Sequence, residues 1–171
     1  MPYGPTFSHA LAVSRLSVHP APRLYLWIWG TALVALGIGS LIINPNFAVG
    51  DGVTDKHLFG VFDTNGWHGL SGASLGVVAV LSAWKRQWTT EAAIAVALVG
   101  GLIPAAIFLV SGNDSVILGI IPVDAADIIT LHLLPGLIGL LCVASGWARL
   151  RTDATSAHDL RSTSPPRTPA S

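Results

Sequence analysis

Asp63, His68 and Gly72 follow the spacing Asp-x4-His-x3-Gly, and Asp127, His132 and Gly136 repeat it. Each copy opens a long apolar stretch, so an imidazole and a carboxylate stand twice at the lip of a membrane helix. Ionisable groups are rare there and tend to mark function. Three kinds of chemistry suit such a set. Two imidazoles at one level are candidate ligands for a haem iron or a divalent metal, with Asp63 or Asp127 as a further ligand or as the partner of a ring nitrogen. The same groups are candidates for proton relay or for sensing external pH, because unperturbed imidazole titrates near about 6.5. The third use is structural: each His hydrogen-bonds across helices to Thr130, Ser71 or Ser74, and each Asp caps a helix start.

The structural use is the leading expectation. Two spaced Asp-x4-His elements form no dedicated metal motif, and bis-His haem sites in bundles lie deeper in the membrane. The expected feature is therefore a polar cluster of Asp63, Asn65, His68, Asp127, Thr130 and His132 without a cofactor. Haem or a divalent metal on His68 and His132 is the alternative. Asp51, Asp55, His57 and Asp63 also place donors within a short stretch, but their spacing fits no EF-hand or zinc pattern. The run from His57 to Phe62 is expected as a short amphipathic element in the membrane interface, and 116–121 as an apolar segment dipping into the surface.

The elements that position these residues follow from composition. Apolar residues make up 51% of the chain and charged ones 11%, which places it among integral membrane proteins. Nine basic residues balance nine acidic ones, so net charge points to no nucleic-acid partner. The single Cys142 excludes both a disulfide framework and a Cys-rich metal motif.

A hydrocarbon core takes roughly 20 apolar residues of helix to cross. Four stretches qualify, at 24–43, 65–84, 92–110 and 128–147. The first is too long, and lacks the small-residue cleavage site, for a secretory signal. The expected fold is an all-α, four-helix transmembrane bundle over 23–150. A flexible cytosolic segment over 1–22 and a disordered cytosolic tail over 151–171 flank it, both too polar to bury a core.

Every basic residue except Lys56 falls before the first span, between the second and third, or after the fourth. By the positive-inside rule those segments, and both termini, are cytoplasmic. The other two loops carry Asp51, Asp55, Asp63, Asp114, Asp124 and Asp127 and face outward. Trp27, Trp29, Trp84, Trp88 and Trp147 mark the inner boundary and Trp67 the outer one.

Spans two and four both run from outside to inside, so His68 and His132 lie at similar depth, about one helical turn below the headgroups. A parallel repeat of the helix pairs would bring them face to face near the axis. Gly72 and Gly76 in span two, with Gly136 and Gly139 in span four, provide small faces for close helix contact. Those contacts serve either this bundle or a second copy. Pro104 and Pro135 leave the carbonyls of Gly100 and Leu131 without their helical donors, which kinks spans three and four. A neighbouring Ser or Thr is expected to satisfy them, and a hinge or cavity-lining carbonyl is the alternative.

The run from Gly60 to His68, written G-x-F-x-x-N-x-x-H and followed by Gly72 and Gly76, resembles the signature of a family of small four-helix bacterial membrane proteins classed as a domain of unknown function. Thr130 to Gly136 is similar to the L-H-x-x-x-G element of that family's last helix. The resemblance covers 56–147 and implies an inner-membrane protein of four helices, with no activity assigned. Many members carry a second His four residues after the first, where this chain has Gly72. That departure weakens the metal and haem alternatives.

No Ser-His-Asp or Cys-His spacing, phosphate-binding loop or carboxylate pair around a substrate space is present, so the chain is not expected to be an enzyme. The leading reading is a multi-pass plasma-membrane protein serving as an accessory or envelope-associated component. Its partners are the bilayer and either a second copy or another membrane protein. Redox or metal binding through His68 and His132, and a proton- or pH-responsive role, are the alternatives.

Overall fold

A computed structural model describes residues 20–54, 56–85, 88–111 and 116–162. The helices are α1 (Pro20–Ile43), α2 (Gly66–Trp84), α3 (Thr89–Ala97), α4 (Ile103–Val110), α5 (Ala125–Asp127) and α6 (Leu134–Ser162). A π-helical stretch, Leu98–Leu102, joins α3 to α4, and a second, Ile128–Leu133, joins α5 to α6. Both lie just ahead of a proline, Pro104 or Pro135, where the missing N–H disturbs the regular ladder.

Among the described residues three helices are long and apolar enough to cross a membrane: Pro20–Ile43, Thr89–Val110 and Ala125–Ala148. The fourth expected span corresponds to α2, whose 19 residues fall outside that set. Its first half, from Gly66 through Trp67, His68, Gly69, Ser71 and Ser74, dilutes the apolar run that begins at Leu75.

The chain is mostly helical, and two antiparallel hairpins qualify the all-α expectation. Strand β1 (Lys56–Leu58) pairs with β2 (Phe62–Thr64), and β3 (Val116–Ile117) with β4 (Ile121–Pro122). The order helix, hairpin, helix therefore occurs twice along the chain. The N-terminal segment expected over 1–22 lies, up to residue 19, outside the described residues. The tail expected from 151 is helical as far as Ser162. No Gly or Pro falls between Trp147 and Pro165, and Ala, Leu and Arg there favour helix.

Glycine decides which helix faces touch. A Cβ on Gly76 would stand 2.7 Å from both Gly30 O and Val34 N, and one on Gly69 would stand 2.8 Å from Gly37 O. A Cβ on Gly37 would run into the Ala73 backbone. Gly30 and Gly37 on α1 thus face Gly69, Ala73 and Gly76 on α2, each pair of glycines two helical turns apart. A second seam joins the other two long helices, where a Cβ on Gly101 would lie 2.6 Å from Gly136 Cα. Gly139 admits the Tyr25 ring, 2.6 Å from where its Cβ would stand.

Tyr25, Leu26, Ala79, Ala83, Ala93, Val96 and Val143 form a core at the end opposite the hairpins, drawn from all four long helices. At the hairpin end Ala105, Phe108, Ile117, Val123 and Ile128 form a smaller one.

Gly72 stands apart from the seam, its nearest prospective Cβ neighbours 3.8 Å away. Gly76→Val is expected to destabilise the protein by about 1–3 kcal/mol through overpacking. Gly72→Val should leave stability near wild type. Thermal unfolding in detergent checks both, and equal losses for the two variants would refute this account of the seam.

Candidate functional site

Each hairpin turns on the same backbone device. Phe59 and Gly60 have φ of 56° and 73°, and Leu118 and Gly119 have φ of 54° and 71°. Val61 N–H closes the first turn on Leu58 O at 3.2 Å, and Ile120 N–H the second on Ile117 O at 3.1 Å. Two consecutive positive φ values give the turn whose twist matches paired strands. The first hairpin ends at Asp63 and Thr64, and Asn65 then caps α2 by accepting His68 N–H at 2.9 Å. The side-chain amide of Asn65 also donates to Ile120 O, tying the second hairpin to the start of α2.

The two copies of the repeated motif converge. Asp127, fully buried, accepts Asp63 N–H on Oδ2 at 3.0 Å. The same oxygen accepts Asp124 N–H at 3.4 Å, while Asp124 Oδ1 takes Asp127 N–H at 2.8 Å, a reciprocal capping box. The caps are therefore Asn65 and Asp124, and Asp63 and Asp127 instead bridge the halves. Asp63, Asp124 and Asp127 each place a carboxylate oxygen within 4.8 Å of the others. Asp63 is also paired with the exposed His57, Nδ1 to Oδ1 at 2.8 Å.

The rings of His68 and His132 lie face to face, with centroids 6.0 Å apart and planes 19° from parallel. His68 Nδ1 lies 3.1 Å from Asp63 O, and His132 Nδ1 lies 2.7 Å from Gly100 O. A carbonyl can only accept, so Nδ1 carries the proton in both rings, and each neutral imidazole keeps a bare Nε2 lone pair. The Gly100 carbonyl is one that Pro104 cannot serve. A histidine satisfies it, in place of the expected Ser or Thr.

Both imidazoles lie in the wall of a cavity of about 520 Å³. Its sides come from α1, α2 and the helix carrying Pro104, and both hairpins contribute to it. His132 Nε2 and Thr64 Oγ1 are buried with no hydrogen-bond partner among the described residues.

A family model for a domain of unknown function, DUF4383, matches residues 23–145. The chain belongs to that family. No curated protein and no solved structure matches it. The DUF4383 match runs from the second turn of α1 into α6, so it takes in both seams, both hairpins and the whole site.

Of the six residues expected to cluster, Asp63, Asn65, His68, Asp127 and His132 come together in this DUF4383 chain. Thr130 does not: it is exposed, and its hydroxyl donates to Ala126 O of its own helix at 2.6 Å. Ser71 likewise bonds locally, to His68 O at 3.1 Å. Thr64 and Asp124 were not anticipated. Asp124 had a readable signal, the capping box Asp124-x2-Asp127, whereas nothing in the spacing singles out Thr64.

Loss of the His132 donor would strand the Gly100 carbonyl. His132→Phe should cost about 1–3 kcal/mol, the penalty of an unmet buried acceptor. His132→Asn, whose amide N–H replaces that of Nδ1, should recover most of it. Thermal unfolding of both variants is the check, and wild-type stability in His132→Phe would contradict the assignment.

Proposed function

We propose that the protein is a four-span component of the bacterial plasma membrane with both termini in the cytoplasm. It acts as an accessory or envelope-associated part, without catalytic activity and without a resident cofactor. The observation that carries this reading is the stacked His68–His132 pair, whose ring N–H groups are both committed to backbone carbonyls. A pair held in this way is part of the scaffold.

A fourth span in α2 is supported by its seam with α1, which runs from Gly69 to Ala79 and holds the two helices side by side. The charges agree with hairpins facing outward. Lys56, the one basic residue on that side, donates to Ile43 O at the end of α1 at 3.3 Å. At the other end Arg23 Nε donates to Ala83 O, near the end of α2, at 3.0 Å. Cations at helix C-termini suit the dipole. The glycine seams are taken up within the chain, so a second copy or another membrane protein would dock on other faces.

The face-to-face stack supports the cofactor-free reading, because bis-imidazole ligation of haem needs rings pointing end-on at one iron from opposite sides. The proton-responsive alternative uses the same groups, and the metal alternative uses their Nε2 atoms.

Single cysteines in a Cys142→Ser background test the topology. Phe59→Cys and Leu118→Cys should react with a membrane-impermeant maleimide on intact cells, and Thr152→Cys only after permeabilisation. If α2 did not cross, the two hairpins would lie on opposite sides and only one would label. The second check is an absorption spectrum with elemental analysis of purified protein beside a His68→Ala/His132→Ala variant. Both should be colourless and without stoichiometric metal, and a Soret band or bound metal lost in the variant would replace this reading with the redox or metal one.

A further inference from the structure

Close-packed protein interiors leave few voids larger than a water molecule. A cavity of about 520 Å³ falls instead in the size range of small-molecule sites, about 300–1,000 Å³. Its wall is mainly aliphatic, with Leu33, Leu75, Val99 and Ile103 along the helices. Such a space in a bilayer protein takes up something apolar.

The polar exceptions define what else the occupant carries. His132 Nε2 is buried and unpartnered, and because Nδ1 gives its proton to Gly100 O, Nε2 can only accept. Thr64 Oγ1, in a residue 1% exposed, is buried and unpartnered in the same wall and can donate or accept. Leaving such atoms unpaired is costly. A hydroxyl can both give a hydrogen bond to Nε2 and take one from a threonine hydroxyl. Among the described residues no Lys or Arg lines the cavity to receive a phosphate, and Asp63 in the wall opposes an anionic head.

We propose that the cavity binds a lipidic molecule with an uncharged, hydroxyl-bearing head, of the long-chain alcohol, diacylglycerol or quinol kind. The hydroxyl donates to His132 Nε2, Thr64 supplies the complementary hydrogen bond, and the apolar chain lies along the helices. This deepens the accessory-component reading and rests on it for the membrane setting of the cavity.

Equilibrium binding of tritiated 1-dodecanol to the full-length protein in detergent tests it. Binding should saturate, and the methyl ether of dodecanol, which cannot donate, should compete about tenfold less well than dodecanol, the worth of one neutral hydrogen bond. Dodecyl phosphate should compete poorly. His132→Phe, which has no acceptor at this position, should abolish the difference between alcohol and ether. Thr64→Val should weaken alcohol binding severalfold. Competition by a decyl hydroquinone and by dioctanoylglycerol identifies which hydroxyl source is preferred.

Alcohol and ether competing equally in the wild type, phosphate competing as well as alcohol, or no saturable binding would each overturn the proposal. The wild-type comparison decides even if a variant fails to fold. The detergent assay does not depend on sidedness, so it separates failure of this inference from failure of the topology, which the maleimide labelling reads.

Discussion

Inside a bilayer no water is available for a backbone group that has lost its helical partner, so every such group must be satisfied from within the protein. Pro104 creates that situation at the Gly100 carbonyl, and the site follows from how it is met. His132 reaches across from the neighbouring helix at 2.7 Å. In doing so it fixes its own tautomer and lies nearly parallel to His68, with 6.0 Å between ring centroids. His68 is held in the same tautomer by the Asp63 carbonyl.

The hairpin end imposes a second condition on the same residues. Asp127 is fully buried, and its carboxylate is held by amides from both halves, Asp63 N–H and Asp124 N–H. Asn65 adds a bond to Ile120 O, and Gly50 N–H one to Gly119 O at 2.8 Å. Each of these four bonds except the Asp124 one joins the first helix–hairpin–helix unit to the second. The repeat in the sequence is thus a repeat in element order whose two Asp and two His meet. The halves are not equivalent, since among the described residues the π-helical stretches, and the prolines Pro104 and Pro135 that follow them, belong to the second. That asymmetry supplies the free carbonyl that a strict duplication would lack.

Hydropathy made the long helices legible, and it faltered at α2 because Gly69 and Gly76, which pack against α1, lower its apolarity, as do the exposed Ser71 and Ser74. The orphan carbonyl at Gly100 was legible from Pro104, and the approach of His68 to His132 from their matched depth. The donor to Gly100 was not, because which side chain faces a carbonyl depends on helix rotation that spacing does not fix. Gly76, Gly136 and Gly139 were readable as contact residues, while Gly72, at the same apparent motif, lines the cavity instead. Strands of two or three residues carry no periodicity. Their only trace was a glycine inside an apolar run, Gly60 and Gly119, which reads equally well as an interfacial segment.

The cavity is a consequence of these same parts. Glycine seams lock α1 to α2 and the Pro104 helix to α6, so each pair is rigid and its spacing is set by backbone contact. The pairs close on each other through Tyr25, Leu26, Ala83, Val96 and Val143 at the end away from the hairpins. At the other end the imidazole stack, with 6.0 Å between centroids, stands between them. The bonds from Asn65 and Asp127 hold the hairpins in place across both pairs. The His132 bond to Gly100 O holds one wall of the space in place, since its loss would leave a bare carbonyl in an apolar medium. The same bonds that satisfy the backbone thus shape the wall of the cavity.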